Sequence, residues 1–166
     1  MNKNNKKFKK NSNTLDNIED NYYKAYEKRY QQVYNNNYLW SSRKPTDEVI
    51  TTIKNENIKK DAKILEIGCG EGRDAIFLLE KNYNVLAIDY SNTVIEKCKE
   101  LSNYKYPNNF RKFDIINDLL EEEFDFIYSI AVIHMFVSKK HREKFYNFIY
   151  NHLNQNGLSL IVTMGD

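Results

Sequence analysis

A chain of 166 residues with 41% hydrophobic and 14% aromatic content suits one globular domain and is too apolar for a disordered one. A net charge of +2 argues against a nucleic-acid partner. The two cysteines, Cys69 and Cys98, have neither the number nor the spacing of a disulfide framework or a metal site. The basic start lacks the apolar core of a signal peptide. The longest apolar stretch, 124–137, carries Asp125, Ser129 and His134 and is too short to cross a bilayer. The expectation is a cytoplasmic protein with reduced cysteines and no membrane partner.

Residues 1–14, rich in lysine and asparagine, read as a solvated, disordered tail. Asp16 or Asn17 then caps a helix to about Asn35, with Glu19 and Asp20 in its first turn. Tyr22, Tyr26, Tyr30 and Tyr34 recur every fourth residue and form one helical stripe. Most of that stripe packs on the body of the fold, and part of it can roof a site. Tyr38-Leu39-Trp40 falls in the following break, and a lone tryptophan placed in a loop suggests a binding role. Tyr30, Tyr38 and Trp40 are therefore the candidate substrate-side residues. Pro45, Thr46 and Asp47 open a second helix to about Glu56. Residues 15–58 read as a helical cap and 59–166 as the main domain.

That domain opens on Lys63–Asp89, which reads as strand, glycine loop, helix, strand. Ile64, Leu65 and Ile67 run directly into Gly68-Cys69-Gly70-Glu71-Gly72, as a buried parallel strand does on leaving a sheet. Ala75, Ile76, Leu78 and Leu79 then recur at helical spacing between Arg73 and Lys81. The next apolar run, from Asn84, ends in Asp89, twenty-one residues after Gly68. A carboxylate there can accept hydrogen bonds from a ribose diol. The dinucleotide fingerprint G-x-G-x-x-G would need a glycine where this chain has Arg73. Here Glu66 precedes the glycines, and a carboxylate beside the loop suits a cationic ligand better than a pyrophosphate.

The run Glu66-x-Gly68-x-Gly70-x-Gly72 with Asp89 at the next strand end resembles motif I of the class I S-adenosylmethionine-dependent methyltransferases. The segment R-Y…Y-L-W…K-P-T-D-E-V-I resembles the N-terminal part of small-molecule members of the tellurite-resistance and thiopurine type. The resemblance implies S-adenosylmethionine as cofactor, held by Glu66, Gly68, Cys69, Gly70, Gly72, Arg73 and Asp89. Tyr90 would lie against the adenine. Asp114 and Ile115, after a third strand over Asn109–Phe113, match the family's acceptor for the adenine amino group and the backbone N–H beside the ring. Ala131 follows a fourth strand, Phe124–Ile130, where that strand borders cofactor and substrate.

Between these strands Ser91 caps a helix to about Leu101. Lys139–Asn151 is helical, Asn156-Gly157 is a turn, and Leu158–Thr163 is the fifth strand. The alternation gives an α/β fold, a Rossmann-like doubly wound parallel sheet in the order 3-2-1-4-5. The resembled fold carries a further C-terminal antiparallel hairpin, which is missing, so the chain reads as truncated after strand 5. That strand becomes an apolar edge open to self-association.

The resemblance implies methyl transfer by in-line displacement to a small-molecule acceptor. Positioning supplies about 7–11 kcal/mol in such reactions, and no metal is required. His134, in the loop after strand 4, is the candidate base if the acceptor must lose a proton. Ser129-Ile130-Ala131-Val132 stands where a base-amino DNA methyltransferase would carry Asn-Pro-Pro-Tyr. The alternatives are a non-catalytic or degenerate S-adenosylmethionine-binding protein and, further off, an NAD(P)-dependent oxidoreductase. Arg73 and the lack of a Tyr-x-x-x-Lys pair after strand 4 argue against the last.

Overall fold

The structure is a computed structural model that describes residues 21–164. The lysine-rich tail, the cap at Asp16 or Asn17 and the acidic first turn lie outside the described residues.

Five strands form one sheet: β1 Lys63–Ile67, β2 Asn84–Asp89, β3 Phe110–Lys112, β4 Phe124–Ile130 and β5 Leu153–Val162. Their order is β3-β2-β1-β4-β5 and every pairing is parallel. The central strands are apolar on both faces because helices or loops cover both. Five α-helices accompany them: α1 Ala25–Asn35, α2 Asp47–Asn55, α3 Arg73–Glu80, α4 Asn92–Leu101 and α5 Lys139–His152.

Alternation along β1 shows how the sheet divides the core. Ile64 joins Val49, Ile53, Ala75, Leu78, Val94 and Cys98 on the side of α2, α3 and α4. Leu65 and Ile67 join Phe113, Phe145, Phe148 and Ile149 on the side of α5. Period two then turns Glu66 to the face that α3 covers. Burying an ionisable group beneath a helix is costly, so this placement calls for a reason.

Local signals account for most of the boundaries. Ser91 caps α4 by accepting from the Val94 amide at 3.1 Å, and Ser138 caps α5 by accepting from the His141 amide at 3.2 Å. Helix α2 starts two residues later than its proline suggested, with Thr46 extended at the N-cap. Among the described residues, the chain enters α1 through a 3-10 turn, Tyr22–Lys24. A 3-10 turn advances three residues per turn, not 3.6, so the tyrosine stripe changes phase. Tyr23 is inward at 5% exposure, whereas Tyr22 is exposed.

Two expectations near the C-terminus are corrected. Helix α5 runs straight into β5 at Leu153, and Asn156-Gly157 is not a turn between elements. It lies in a bulge where Phe124 and Phe126 of β4 pair with Leu153 and Leu158 of β5. Asn156 absorbs the extra length at φ +66°, a left-handed conformation that asparagine tolerates.

The N-terminal segment crosses the carboxyl ends of the strands. Tyr23 packs into the α5-side core and Tyr30 into the α3-side core. Seven residues of near-helical chain cover about 10–11 Å, enough to step over a sheet edge-on.

Candidate active site

The glycine loop is shaped by two close approaches. Gly68 has φ +69°, and a Cβ there would lie 2.4 Å from a methyl of Val132, so the loop after β4 fits against it only without a side chain. Gly72 has φ +70°, and a Cβ there would lie 3.0 Å from both the Cys98 sulfur and the Phe110 ring. The Gly68 and Cys69 amides donate to the Ile88 carbonyl at 2.8 and 3.0 Å, which pins the loop across the tip of β2.

Asp89 closes that tip. Its two oxygens accept from the Gly70 amide at 3.0 Å and the Ser91 amide at 2.9 Å. Each carboxylate oxygen has two lone pairs, so both keep capacity for a ligand. Burial pushes the Asp89 carboxyl up to about 6, against the lowering pull of the Ser91 and Gly70 amides.

Above the loop lies a cavity of about 250 Å³. Glu66, Gly68, Cys69, Gly70, Arg73 and Asp89 line it on the loop side. Tyr90, Ile115 and Ala131 line it from the neighbouring strand ends, and Tyr30 and Trp40 from the N-terminal segment. Ala131 is held at φ +55°, an uncommon conformation for a residue with a Cβ and one that clusters at functional sites. The Trp40 ring packs on Tyr30 at 5.3 Å and on Tyr26 at 6.0 Å, and Arg29 caps Tyr26 at 4.5 Å.

Four of the expected residues lie elsewhere. Gly72 supports the loop from below and does not line the cavity. Tyr38 is 71% exposed, because the turn that ends α1 carries its side chain outward. His134 is exposed in the 3-10 turn Ile133–Met135; that turn brings Ile133, Met135 and Phe136 inward and leaves the histidine in solvent, out of reach of a substrate in the cavity. Asp114 is screened from the cavity by Tyr23, whose hydroxyl donates to both of its oxygens at 3.0 Å.

Sequence reasoning missed Tyr23, Glu71 and Asp74. Glu71 accepts from the Trp40 amide at 2.6 Å and from the Ser41 amide and hydroxyl at 2.8 Å each. Asp74 accepts from the Thr46 amide at 2.5 Å and its hydroxyl at 2.8 Å. Arg73 donates to the same Thr46 hydroxyl at 3.0 Å. Two buried carboxylates, Glu71 of the loop and Asp74 of the first turn of α3, thus clamp the 40–46 segment over the site. An acidic residue in a glycine loop or a first helical turn is a weak signal, and the partners lie about thirty positions away.

Glu66 differs from these. Its Oε2 is buried without a hydrogen-bond partner, and the hydroxyl of Tyr128, its in-register neighbour on β4, is equally unpartnered. Burial, and then the nearby Asp74 carboxylate, hold the Glu66 carboxyl well above the usual carboxylate range. A buried oxygen left without a partner is costly, and Glu66 is also one of the residues that line the cavity. The spare acceptor capacity of this wall is that of Asp89, Glu66 adds a carboxyl that a bound cation would ionise, and Arg73 is the cation beside it. That set fits an α-amino acid joined to a ribose.

Comparison with protein-family models matches residues 26–166 to the family described as "Tellurite resistance protein TehB". A probable S-adenosyl-L-methionine-dependent methyltransferase TehB from Haemophilus influenzae (strain 10810) is 30% identical over 101 residues, 60% of this chain and 35% of that protein. The chain therefore spans about a third of the length of this and similar curated relatives that it matches. The crystal structure of TehB from Haemophilus influenzae superposes with a TM-score of 0.59 at 27% identity, covering 70% of this chain and 40% of that one. PKMT2 from Rickettsia typhi, in complex with AdoHcy (S-adenosylhomocysteine), gives a TM-score of 0.54 at 29% identity over 61% of this chain and 21% of that one.

Proposed function

The chain belongs to the TehB tellurite-resistance family of class I S-adenosylmethionine-dependent methyltransferases, and from that premise we propose that its cleft binds S-adenosylmethionine and passes the methyl group to a small-molecule acceptor. The observation that carries this reading is Asp89 at the tip of β2, whose oxygens keep acceptor capacity in the wall of a cavity that Glu66 and Arg73 also line. When bound, the cofactor supplies a methyl group made electrophilic by a sulfonium. Glu66 would hold its ammonium, Arg73 its carboxylate and Asp89 its ribose hydroxyls. Tyr90 and Ile115 would flank the base, and Asp114 would meet the base's amino group only once Tyr23 gives way.

The acceptor side would be the aromatic roof of Tyr26, Tyr30 and Trp40. Glu71 fixes that roof through the Trp40 and Ser41 amides, so it is positioned before any acceptor arrives, and positioning is most of what an in-line displacement needs. With His134 in solvent, the acceptor that fits is one that needs no base, a soft or already anionic nucleophile. We place this work in the cytoplasm, with Cys69 and Cys98 as free thiols. No helix among the described residues is long and apolar enough to cross a membrane.

The test is turnover with a panel of thiol, selenite, tellurite and carboxylate acceptors, read as S-adenosylhomocysteine released. The expected result is turnover with at least one acceptor, lost in Asp89→Ala. Cofactor binding without turnover on any acceptor class would favour the alternative of a non-catalytic binding protein.

A further inference from the structure

Tyr23 stands where the nucleoside end of the cleft should be open. Its ring is buried, edge-on to Tyr90 at 5.2 Å and packed against Phe136 at 5.4 Å and His141 at 5.8 Å. Tyr23 lines the cavity, and Asp114 lies behind it.

The Asp114 carboxylate is already engaged at both oxygens. One oxygen takes the Ile116 amide at 3.0 Å and the other the Asn117 side-chain amide at 2.9 Å. The Tyr23 hydroxyl bridges both at 3.0 Å. A hydroxyl has a single hydrogen, so the Tyr23 bond is shared between the two oxygens and sits on the side that faces the cavity. Burial, then Asp114 itself, push the Tyr23 hydroxyl above its ordinary range, so it remains a donor at any physiological pH. An exocyclic amino group that seeks Asp114 meets an occupied carboxylate.

Tyr23 is also placed to move. It belongs to a one-turn 3-10 segment, the least cooperative kind of helix. Helix α1 is anchored separately, by Tyr26 against Trp40 at 6.0 Å and by Glu27, which accepts from the Thr93 hydroxyl at 2.6 Å. These anchors lie beyond the turn, so the turn can swing while α1 stays in place.

We propose that Tyr23 is a latch on the nucleoside subsite: its hydroxyl holds the Asp114 carboxylate and is exchanged for the amino group of adenine when the cofactor binds, so that Tyr23 sets cofactor affinity. This rests on the cofactor reading above. A ligand that must first open a closed state binds more weakly by the fraction that is open.

The test is calorimetric titration of S-adenosylhomocysteine into the full chain, wild type and Tyr23→Phe, each also in an Asp114→Ala background, with melting temperatures as the folding control. Hydrogen exchange across residues 21–27 is followed in parallel. Tyr23→Phe removes one charge-assisted hydrogen bond and keeps the ring, so binding should tighten by about tenfold. The gain should vanish in the Asp114→Ala background. In the wild type, ligand should speed exchange at 21–27 while slowing it at 66–73. Unchanged or weaker binding by folded Tyr23→Phe, or slower exchange at 21–27 on binding, would overturn the latch and make Tyr23 part of a preformed seat. Failure of both wild type and Tyr23→Phe to bind would overturn the cofactor reading and the latch with it.

Discussion

Burial raises Asp89 to about 6 while two backbone amides hold its oxygens in place. The unfolded value is about 3.9, so the folded chain binds this proton more tightly than the unfolded one. Between those values Asp89 makes the ligand-free protein less stable as pH rises. Ligand binding has the opposite sign. A diol donates most strongly, and to both oxygens, when the carboxylate is ionised, a form present above about pH 6 and lost as pH falls through it. S-adenosylhomocysteine affinity should therefore drop about tenfold between pH 7 and pH 5, with proton release on binding near pH 6; a flat affinity across that range would remove Asp89 from the contact. The exposed His134 makes the converse case. His134→Gln should leave both affinity and turnover within about twofold, the usual scale for a surface substitution. At Gly68 the expected effect is on the fold itself: a methyl group meets Val132 at 2.4 Å on a left-handed backbone. Gly68→Ala should cost about 1–3 kcal/mol, measured by denaturant unfolding, with binding lost even where the variant stays folded.

Elements matter through what clamps them to one another. The 38–46 segment has no regular structure, yet Glu71 and Asp74 hold it at Trp40, Ser41 and Thr46. Glu71→Gln weakens charge-assisted bonds worth about 1.5–3 kcal/mol each. Amide exchange at Trp40 and Ser41 should accelerate at least tenfold while β1 and β2 exchange as before; a uniform change across the sheet would mean that the clamp supports the whole fold. This clamp was not legible in the sequence, because a side-chain bond across about thirty residues leaves no periodic trace. The β1–loop–α3–β2 unit was legible from end to end, since glycines, an apolar run and a terminal aspartate each mark a backbone event. The helical stripe was legible only in part. Tyr30 is inward as expected, but the 3-10 turn rotates Tyr23 in and Tyr22 out. The start of β5 was hidden for a related reason: Asn-Gly marks a positive φ, which a bulge needs as much as a turn does.

In the whole molecule, the order β3-β2-β1-β4-β5 brings the tips of β1, β2 and β4 to one end of the sheet. Glu66, Asp89 and Ala131 come from three separate stretches of sequence and meet there because the crossovers reverse direction beside β1, where such sheets bind ligands. The same topology leaves β5, among the described residues, paired with β4 alone. An apolar edge invites a second strand, so we expect concentration-dependent association by sedimentation, reduced by Ser159→Lys; a monomer at every concentration would contradict it. The central claim is that the cleft is built for S-adenosylmethionine, and calorimetry tests it most directly, with S-adenosylhomocysteine and NAD titrated into the wild type and into Asp89→Ala. Micromolar binding of S-adenosylhomocysteine alone, abolished in Asp89→Ala, is the predicted result. Binding of NAD in its place, or no loss in folded Asp89→Ala, would contradict it.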